Sequence, residues 1–236
     1  LNIVFQRFGV LFLVSLLSYF LLDRIVLIPA QLRGRYQIIH SLGNIIIAGL
    51  AWEDAVAAFV HPSSALHVDN NLAPYAVVLA IHAYHVIAFR PLTPADWKHH
   101  LLMIIIPLPI LFWVPSGRLI SIATFAACGA PGAVCYGAIA LRKNEVLDRL
   151  GEKRINAAVN TWFRSPLVTI SGYVVFVAIW DRPDPNLHLP SAAMGTCIAI
   201  LMFWNGQFYG RQVVENYGSC LMQGQHETCV PAPTVC

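Results

Sequence analysis

The sequence predicts an all-α protein, a polytopic transmembrane helical bundle of about seven spans. Hydrophobic residues make up 57% of the 236 residues, charged residues make up only 11%, and the mean hydropathy is +0.62. A soluble domain spends about a quarter of its residues on charge, so this chain has too little polar surface to face water. Its apolar residues also form long stretches separated by short polar or proline-containing breaks. That pattern is typical of a multi-pass membrane protein.

Seven apolar stretches are the predicted spans. They run over residues 8–30, 38–60, 72–89, 99–114, 119–141, 166–180 and 191–209. Most approach the roughly 20 residues that cross about 30 Å of hydrocarbon. The fourth and sixth are short, so we expect interfacial side chains at their ends: Trp97, Lys98, Trp113, Trp162, Arg164 and Trp180. Pro107 and Pro109, and the glycines of residues 129–132, predict interruptions where neighbouring helices come close.

The first stretch predicts a retained helix and not a cleaved signal, because it has no clear small-residue cleavage site. Its charged residues, Asp23 and Arg24, are adjacent, and we expect them to satisfy each other against the bundle. The predicted units are an N-terminal span over 1–32, a six-helix membrane domain over 33–217 and a tail over 218–236. The tail contains Cys220, Cys229 and Cys236, which cannot all pair with one another.

Lysine and arginine positions predict the orientation in the membrane. With seven spans, the breaks after spans one, three and five share one side with the C-terminus, and this side carries eleven basic residues against three on the other. The bias predicts a C-terminus facing cytosol, matrix or stroma, in the endoplasmic reticulum or an organellar inner membrane. Residues 143–154 mix both charge signs and predict a solvated amphipathic helix along the surface. No basic stripe with interleaved aromatics occurs, so we expect membrane lipids and no nucleic acid as partners.

Five histidines are predicted to fall at a similar depth in the inner leaflet, although they belong to three spans. The set is His40, His82, His85, His99 and His100, with Asp96 before the last pair and Asn205 and Gln207 approaching the same level from span seven. Polar clusters inside a membrane are costly and are functional-site hypotheses by default. The alternative is that these rings simply bond backbone carbonyls at helix ends.

Three segments resemble the TRAM-LAG1-CLN8 (TLC) domain family. Residues 35–42, RYQIIHSL, resemble its Arg-x-x-x-x-His-(Ser/Ala) opening, and the pair at residues 99–100 resembles its paired-histidine signature. Residues 202–210, MFWNGQFYG, resemble its aromatic- and asparagine-containing last helix. The match covers about residues 33–217. The resemblance implies a six-helix TLC-like core after one N-terminal span, and the binding or modification of lipid.

The resemblance also implies roles for the polar residues. The candidate catalytic residues are His99, His100 and Asp96, and the candidate ligand-binding residues are His40, His82, His85, Arg35, Asn205 and Gln207. Ceramide synthases of this family carry an acidic stretch on the helix after the paired histidines, whereas residues 119–141 contain no Asp, Glu or His. The chain therefore resembles the non-synthase members, which are associated with lipid homeostasis.

Other functions of the histidines stay open at this point. A di-iron oxygenase needs about eight histidine ligands, more than one HxxH and one HH supply. A mononuclear zinc or iron site built from His82, His85 and either His99 or His100 fits if spans three and four pack together. A haem or chlorophyll needs only one axial histidine. The sequence assigns no metal, leaves the cofactor unknown and leaves open whether the chain is an enzyme. The second function class is a non-catalytic accessory subunit of a respiratory or photosynthetic complex, with other membrane subunits as partners.

Overall fold

The computed structural model describes residues 3–68, 70–101, 116–181 and 189–222, and this part of the chain is helical, with no strand. Its helices, numbered in chain order, are α1 Ile3–Leu21, α2 Arg35–Val60, α3 Ala73–Ala88, α4 Pro94–His100, α5 Leu119–Lys143, α6 Arg149–Trp180 and α7 Leu189–Met222. A π-helical turn follows α1 at Leu22–Leu27, and two more interrupt α5 at Phe125–Gly129 and α6 at Asn160–Arg164.

Four of the described helices are long and apolar enough to cross a membrane, which confirms the helical membrane class but not the count of seven spans. They are the segments Gln6–Leu27, Arg35–Val60, Leu119–Lys143 and Arg149–Trp180. Helix α3, the predicted third span, is apolar but has only 16 residues. The predicted seventh span lies within α7. Most of the predicted fourth span, with Pro107 and Pro109, lies outside the described residues.

Contacts between loops show which of them lie at the same end of the bundle. At one end, the Arg33 N–H donates to Asn144 Oδ1 over 3.0 Å, which joins the α1–α2 loop to the α5–α6 loop. At the other end, Ser63 Oγ donates to Asp181 Oδ2 over 2.6 Å, which joins the residues after α2 to the residue after α6. Helices α2 and α6 therefore both start at the first end. We call it the basic end, because most of the arginines and lysines lie there.

Helix α6 begins much earlier than the predicted sixth span, so the expectation of a separate surface helix over residues 143–154 was wrong. The Asp148 carboxylate accepts a hydrogen bond from the Gly151 N–H over 2.7 Å and caps the helix at its true start. From Arg149 the helix continues through the π-helical turn to Trp180. Its first turns pack against α5 on one side and α7 on the other, and Glu152 is buried between the helices.

Helix α7 also extends beyond its prediction, since it continues to Met222, past the expected start of the tail at residue 218. Cys220 lies in this extension and is buried. Cys229 and Cys236 lie outside the described residues. The last turns of α7 pack against the first turns of α6, which explains why the helix does not end at the predicted membrane boundary.

The buried carboxylate of Asp23 joins the first three helices, but its partner is not the predicted Arg24. Arg35 Nη1 donates to Asp23 Oδ1 over 2.8 Å, and the Tyr84 hydroxyl donates to Asp23 Oδ2 over 2.8 Å. Arg24 is exposed and lies over the ring of Phe20, 5.7 Å from its centroid. Adjacent residues of a helix point in different directions, so their charges do not meet.

Helices α2 and α5 approach each other closely at two glycines. A Cβ at Gly132 would lie 2.5 Å from Asn44 Nδ2, and one at Gly129 would lie 3.3 Å from Ala48 Cα. Small residues let helix backbones come together in this way inside membranes. The π-helical turn Phe125–Gly129 interrupts α5 at the same place, where the sequence predicts an interruption.

Three of the predicted interfacial side chains are exposed, namely Trp97, Trp162 and Trp180. Arg164 differs, because it is only 4% exposed and its Nη1 donates to Asn160 Oδ1 over 3.2 Å. The expectation that Arg164 reaches the interface was wrong, because the continuous α6 carries it on the face that packs against α5. The side chains of Lys98 and Trp113 lie outside the described part of the chain.

Candidate functional site

Four histidines and two tyrosines meet near the basic end of the bundle, and we call them the His–Tyr cluster. Its members are His40, His82, His85 and His100, with Tyr36 and Tyr136. All four histidines are buried, and so is Tyr136. The four imidazoles come from three helices, as the predicted spans imply. The fifth predicted histidine, His99, has a side chain outside the described part.

Helix periodicity places each ring. Tyr36 and His40 are four residues apart on α2, and His82 and His85 are three apart on α3, so each pair shares one helix face. Helices α2 and α3 are antiparallel neighbours, which brings the first turns of α2 beside the last turns of α3. Tyr136 reaches the same point from α5. The cluster therefore depends on the packing of helices that are far apart in the sequence.

The imidazoles are in contact with one another. His100 Nε2 and His85 Nδ1 are 3.1 Å apart, which is hydrogen-bond distance. The His82 and His100 ring centroids are 5.3 Å apart, and those of His40 and His82 are 5.9 Å apart. Each neutral imidazole offers one donor and one acceptor nitrogen, so a group of four can move protons among its members and to a ligand.

Two phenol rings cover the imidazoles. The Tyr36 ring lies between His40, at 4.2 Å between centroids, and His85, at 4.1 Å. Tyr136 also contacts His40, with 4.6 Å between the ring centroids. The two phenol oxygens are 3.3 Å apart. Neither tyrosine was among the residues that the sequence singled out. Their spacing, with Tyr36 one turn before His40, is the only signal that the sequence offered.

The geometry fixes the tautomer of one ring. His82 Nδ1 lies 2.7 Å from the Val78 carbonyl oxygen. A carbonyl oxygen can only accept, so Nδ1 carries the proton, and in the neutral ring Nε2 is the acceptor. This bond is the kind that the structural alternative predicts, a ring bonded to a backbone carbonyl of its own helix. It accounts for one nitrogen of His82 and does not explain why four imidazoles gather here.

Asp96 holds the short helix that carries His100. Its Oδ2 accepts hydrogen bonds from the Thr93 N–H over 2.9 Å and from Thr93 Oγ1 over 2.7 Å. Partial burial raises the pKa of Asp96, but these two bonds and the nearby His85 and His100 outweigh that effect, and the net pKa lies below its usual value. The carboxylate is therefore a negative charge that caps α4 and acts on the rings from a distance. The predicted catalytic role of Asp96 stays a prediction.

Arg35 borders the cluster without entering it. Its guanidinium is engaged by Asp23, and it lies over the Phe89 ring at 5.5 Å from the centroid. Phe89 in turn contacts Tyr36 at 5.7 Å and His85 at 6.1 Å. Arg35 thus ties α1 and α2 together at the rim of the cluster, and its predicted role in ligand binding stays a prediction.

Asn205 and Gln207 lie away from the His–Tyr cluster, and their predicted role in ligand binding stays a prediction. Both lie on α7, which packs mainly against α6. Gln207 Nε2 lies 3.4 Å from Thr169 Oγ1 of α6. Similar depth in the membrane was predicted for them, but depth does not determine the position around the bundle. The lateral order of the helices places these residues on the other side of α6.

A second polar group, which the sequence reasoning missed, lines the buried face of α6, and we call it the α6 ladder. It consists of Glu152, Asn156, Asn160 and Arg164, spaced four residues apart and all buried. Asn156 Nδ2 donates to Glu152 Oε1, Asn160 Nδ2 donates to the Asn156 carbonyl and Arg164 donates to Asn160. Their regular spacing was the available signal.

Among the described residues, no group of three or more His, Cys, Asp or Glu side chains is arranged to hold a metal ion. The site predicted from His82, His85 and one of the paired histidines stays a prediction, because one of that pair, His99, is not described. No protein-family model, curated protein or solved structure matches the chain.

Proposed function

We propose that this chain is a TLC-like integral membrane protein that binds or modifies a lipid through the His–Tyr cluster. The observation that carries the proposal is the contact of four buried imidazoles from three helices, with His100 Nε2 3.1 Å from His85 Nδ1. Burying polar rings among membrane helices costs free energy, and such groups therefore mark functional sites by default.

The chemistry of the cluster favours proton transfer or hydrogen bonding to a neutral polar group. Its members are imidazoles and phenols, and imidazole is the side chain best suited to accept and donate protons near neutral pH. The carboxylate of Asp96, which acts on His85 and His100, is engaged by Thr93. A lipid ester, amide or hydroxyl fits such a site, because each offers an acceptor or a donor without a charge at that depth.

The depth of the cluster supports a lipid headgroup region as its target. His85 lies three residues before the end of α3, and His40 lies five residues after the start of α2, which are about 5 Å and about 8 Å from the basic end of those helices. The positive-inside rule would orient the basic end toward cytosol, matrix or stroma. The site would then face the inner leaflet of the endoplasmic reticulum or an organellar inner membrane.

The test compares histidine variants with a matched surface histidine. His85→Gln and His100→Gln keep polar side chains but remove the imidazoles, and His61→Gln removes an exposed histidine at the opposite end. We expect the first two to change the lipids that copurify with the protein and the lipid composition of the membrane, as measured by mass spectrometry. His61→Gln should change neither.

The same experiment can also contradict the proposed lipid function. Unchanged lipids in His85→Gln and His100→Gln, in protein that folds normally, would contradict the proposal. If these variants also copurify with stoichiometric membrane subunits, the function is that of an accessory subunit in a larger complex.

A further inference from the structure

A small rim of polar side chains lies above the His–Tyr cluster, where α2 and α5 meet at the basic end. It consists of Gln37 and Lys143, with Gly34 between them. A Cβ at Gly34 would lie 2.7 Å from Lys143 Cδ and 3.2 Å from Gln37 Oε1, and the φ of Gly34 is 69°. Glycine here both permits the left-handed turn and leaves room for the lysine stem.

Lys143 is a cation without a carboxylate partner among the residues that the structure describes. The arginines around it are each paired: Arg33 with Glu145, Arg35 with Asp23 and Arg142 with Glu152. Lys143 is part-buried, so its ammonium is less well hydrated than one on a free surface. A cation held in this way at a membrane interface favours an anion from outside the chain.

Gln37 supplies the second observation at the rim. It is only 4% exposed, and its Oε1 accepts no hydrogen bond within the described part of the chain. Gln37 and His40 are three residues apart on α2, and Lys143 and Tyr136 are seven apart on α5, so each rim residue stands above a cluster residue on the same helix face. Tyr136 and His40 are themselves in contact at 4.6 Å.

The rim and the cluster therefore form one column. Seven residues of helix place Lys143 about 10 Å from Tyr136 along α5. In a lipid, the charged headgroup and the polar linkage to the acyl chain are separated by only a few bonds. One lipid molecule can therefore place its headgroup at the rim and its polar linkage at the cluster.

We infer that the ligand of the His–Tyr cluster is a lipid with a negatively charged, phosphate-bearing headgroup, and that Lys143 binds that headgroup. This inference rests on the proposed function of the cluster. Lys143 donates to phosphate oxygens, and the free acceptor of Gln37 suits a headgroup that also carries hydroxyl groups.

The test measures lipid retention by the purified full chain in nanodiscs that contain phosphatidylglycerol and phosphatidylcholine. Both lipids carry phosphate, but only phosphatidylglycerol combines net negative charge with free hydroxyl groups. Lys143→Gln should lower the preference for phosphatidylglycerol about fivefold, the effect of one basic residue near an anionic headgroup. Lys143→Arg should keep the preference.

Arg211→Gln is the matched control, because Arg211 is an exposed cation of α7 and its loss changes the net charge equally. A drop in preference with this control as large as with Lys143→Gln would show that only overall charge matters and would overturn the inference. Inorganic phosphate is the second arm. If phosphate alone protects the protein against thermal unfolding as well as phosphatidylglycerol does, the anion is not a lipid headgroup and the inference is again overturned.

His85→Gln separates this inference from the proposed function. If it abolishes lipid retention while Lys143→Gln leaves the preference unchanged, the cluster binds lipid and the headgroup assignment is wrong. If His85→Gln leaves retention and preference intact, the cluster is not the lipid site and both proposals fail. Loss of preference in Lys143→Gln together with loss of retention in His85→Gln supports one ligand that spans rim and cluster.

Discussion

The bundle buries two polar groups of opposite character, the His–Tyr cluster and the α6 ladder. In the ladder, the carboxylate of Glu152, only 1% exposed, lies 3.3 Å from Arg142 and 3.2 Å from Lys153, and amide side chains carry the hydrogen bonding on to Arg164. In the cluster, imidazole and phenol rings contact one another at 4 to 6 Å between centroids. The ladder pairs its charges within the protein, whereas the cluster consists of imidazole and phenol rings in tilted and edge-to-face contact.

The difference teaches that burial of polar side chains does not by itself identify a functional site. The carboxylate of the ladder finds its partners within the protein, as a structural link between α5 and α6 requires. On the proposed function, the cluster gathers residues that exchange protons or hydrogen bonds with the polar groups of a lipid. We therefore expect the two groups to respond differently to mutation, the ladder in stability and the cluster in lipid binding.

The largest expected effect is on the ladder. Glu152→Ala leaves Arg142 and Lys153 without their shared carboxylate, so we expect a loss of about 3 kcal/mol in the free energy of unfolding. Both cations are partly exposed, which keeps the loss at the lower end for a buried pair. The measurement is equilibrium unfolding of the purified protein in detergent.

Glu145→Ala is the control for this prediction. Glu145 pairs with Arg33, and both side chains are largely exposed, so the loss should stay below about 1 kcal/mol. Equal losses for the two variants would show that the ladder is no more structural than a surface ion pair. The comparison between ladder and cluster would then lose its basis.

The ladder also shows where prediction from the sequence stops. Long apolar stretches predict the membrane helices because hydrocarbon requires about 20 apolar residues to be crossed, and four helices meet that requirement. An amphipathic stretch such as residues 149–164, in contrast, shows only that one helix face is polar. It does not show whether that face meets water or another helix, and here it meets α5.

The histidine site was accessible to prediction for a related reason. The position of a residue near the end of a span predicts its depth in the membrane. Depth was enough to predict that His40, His82, His85 and His100 meet, because α2, α3 and α4 follow one another in the chain and pack as neighbours. It was not enough for Asn205, since α7 packs beyond α6. Lateral position depends on long-range packing, which one sequence does not show.

A smaller effect is expected within the cluster. His85→Leu and His100→Leu each remove one side of a hydrogen bond, and each should cost about 1 kcal/mol of unfolding free energy. The double variant removes both partners, so its cost should be less than the sum, with a coupling of about 1 kcal/mol. His85→Leu combined with Ser165→Ala, on α6, is the additive control. A coupling energy near zero would mean that no hydrogen bond joins the two rings.

The smallest effect concerns the hydroxyl contact between the two tyrosines. Tyr36→Phe keeps the ring between His40 and His85 and removes only the oxygen that lies 3.3 Å from the Tyr136 oxygen. We expect a change of about 0.5 kcal/mol in the free energy of unfolding, the low end for one neutral hydrogen bond. Tyr173→Phe, at an exposed position, is the control and should change nothing measurable. A loss several times larger in Tyr36→Phe would mean that hydrogen bonding, as in the ladder, and not ring contact, holds the cluster together.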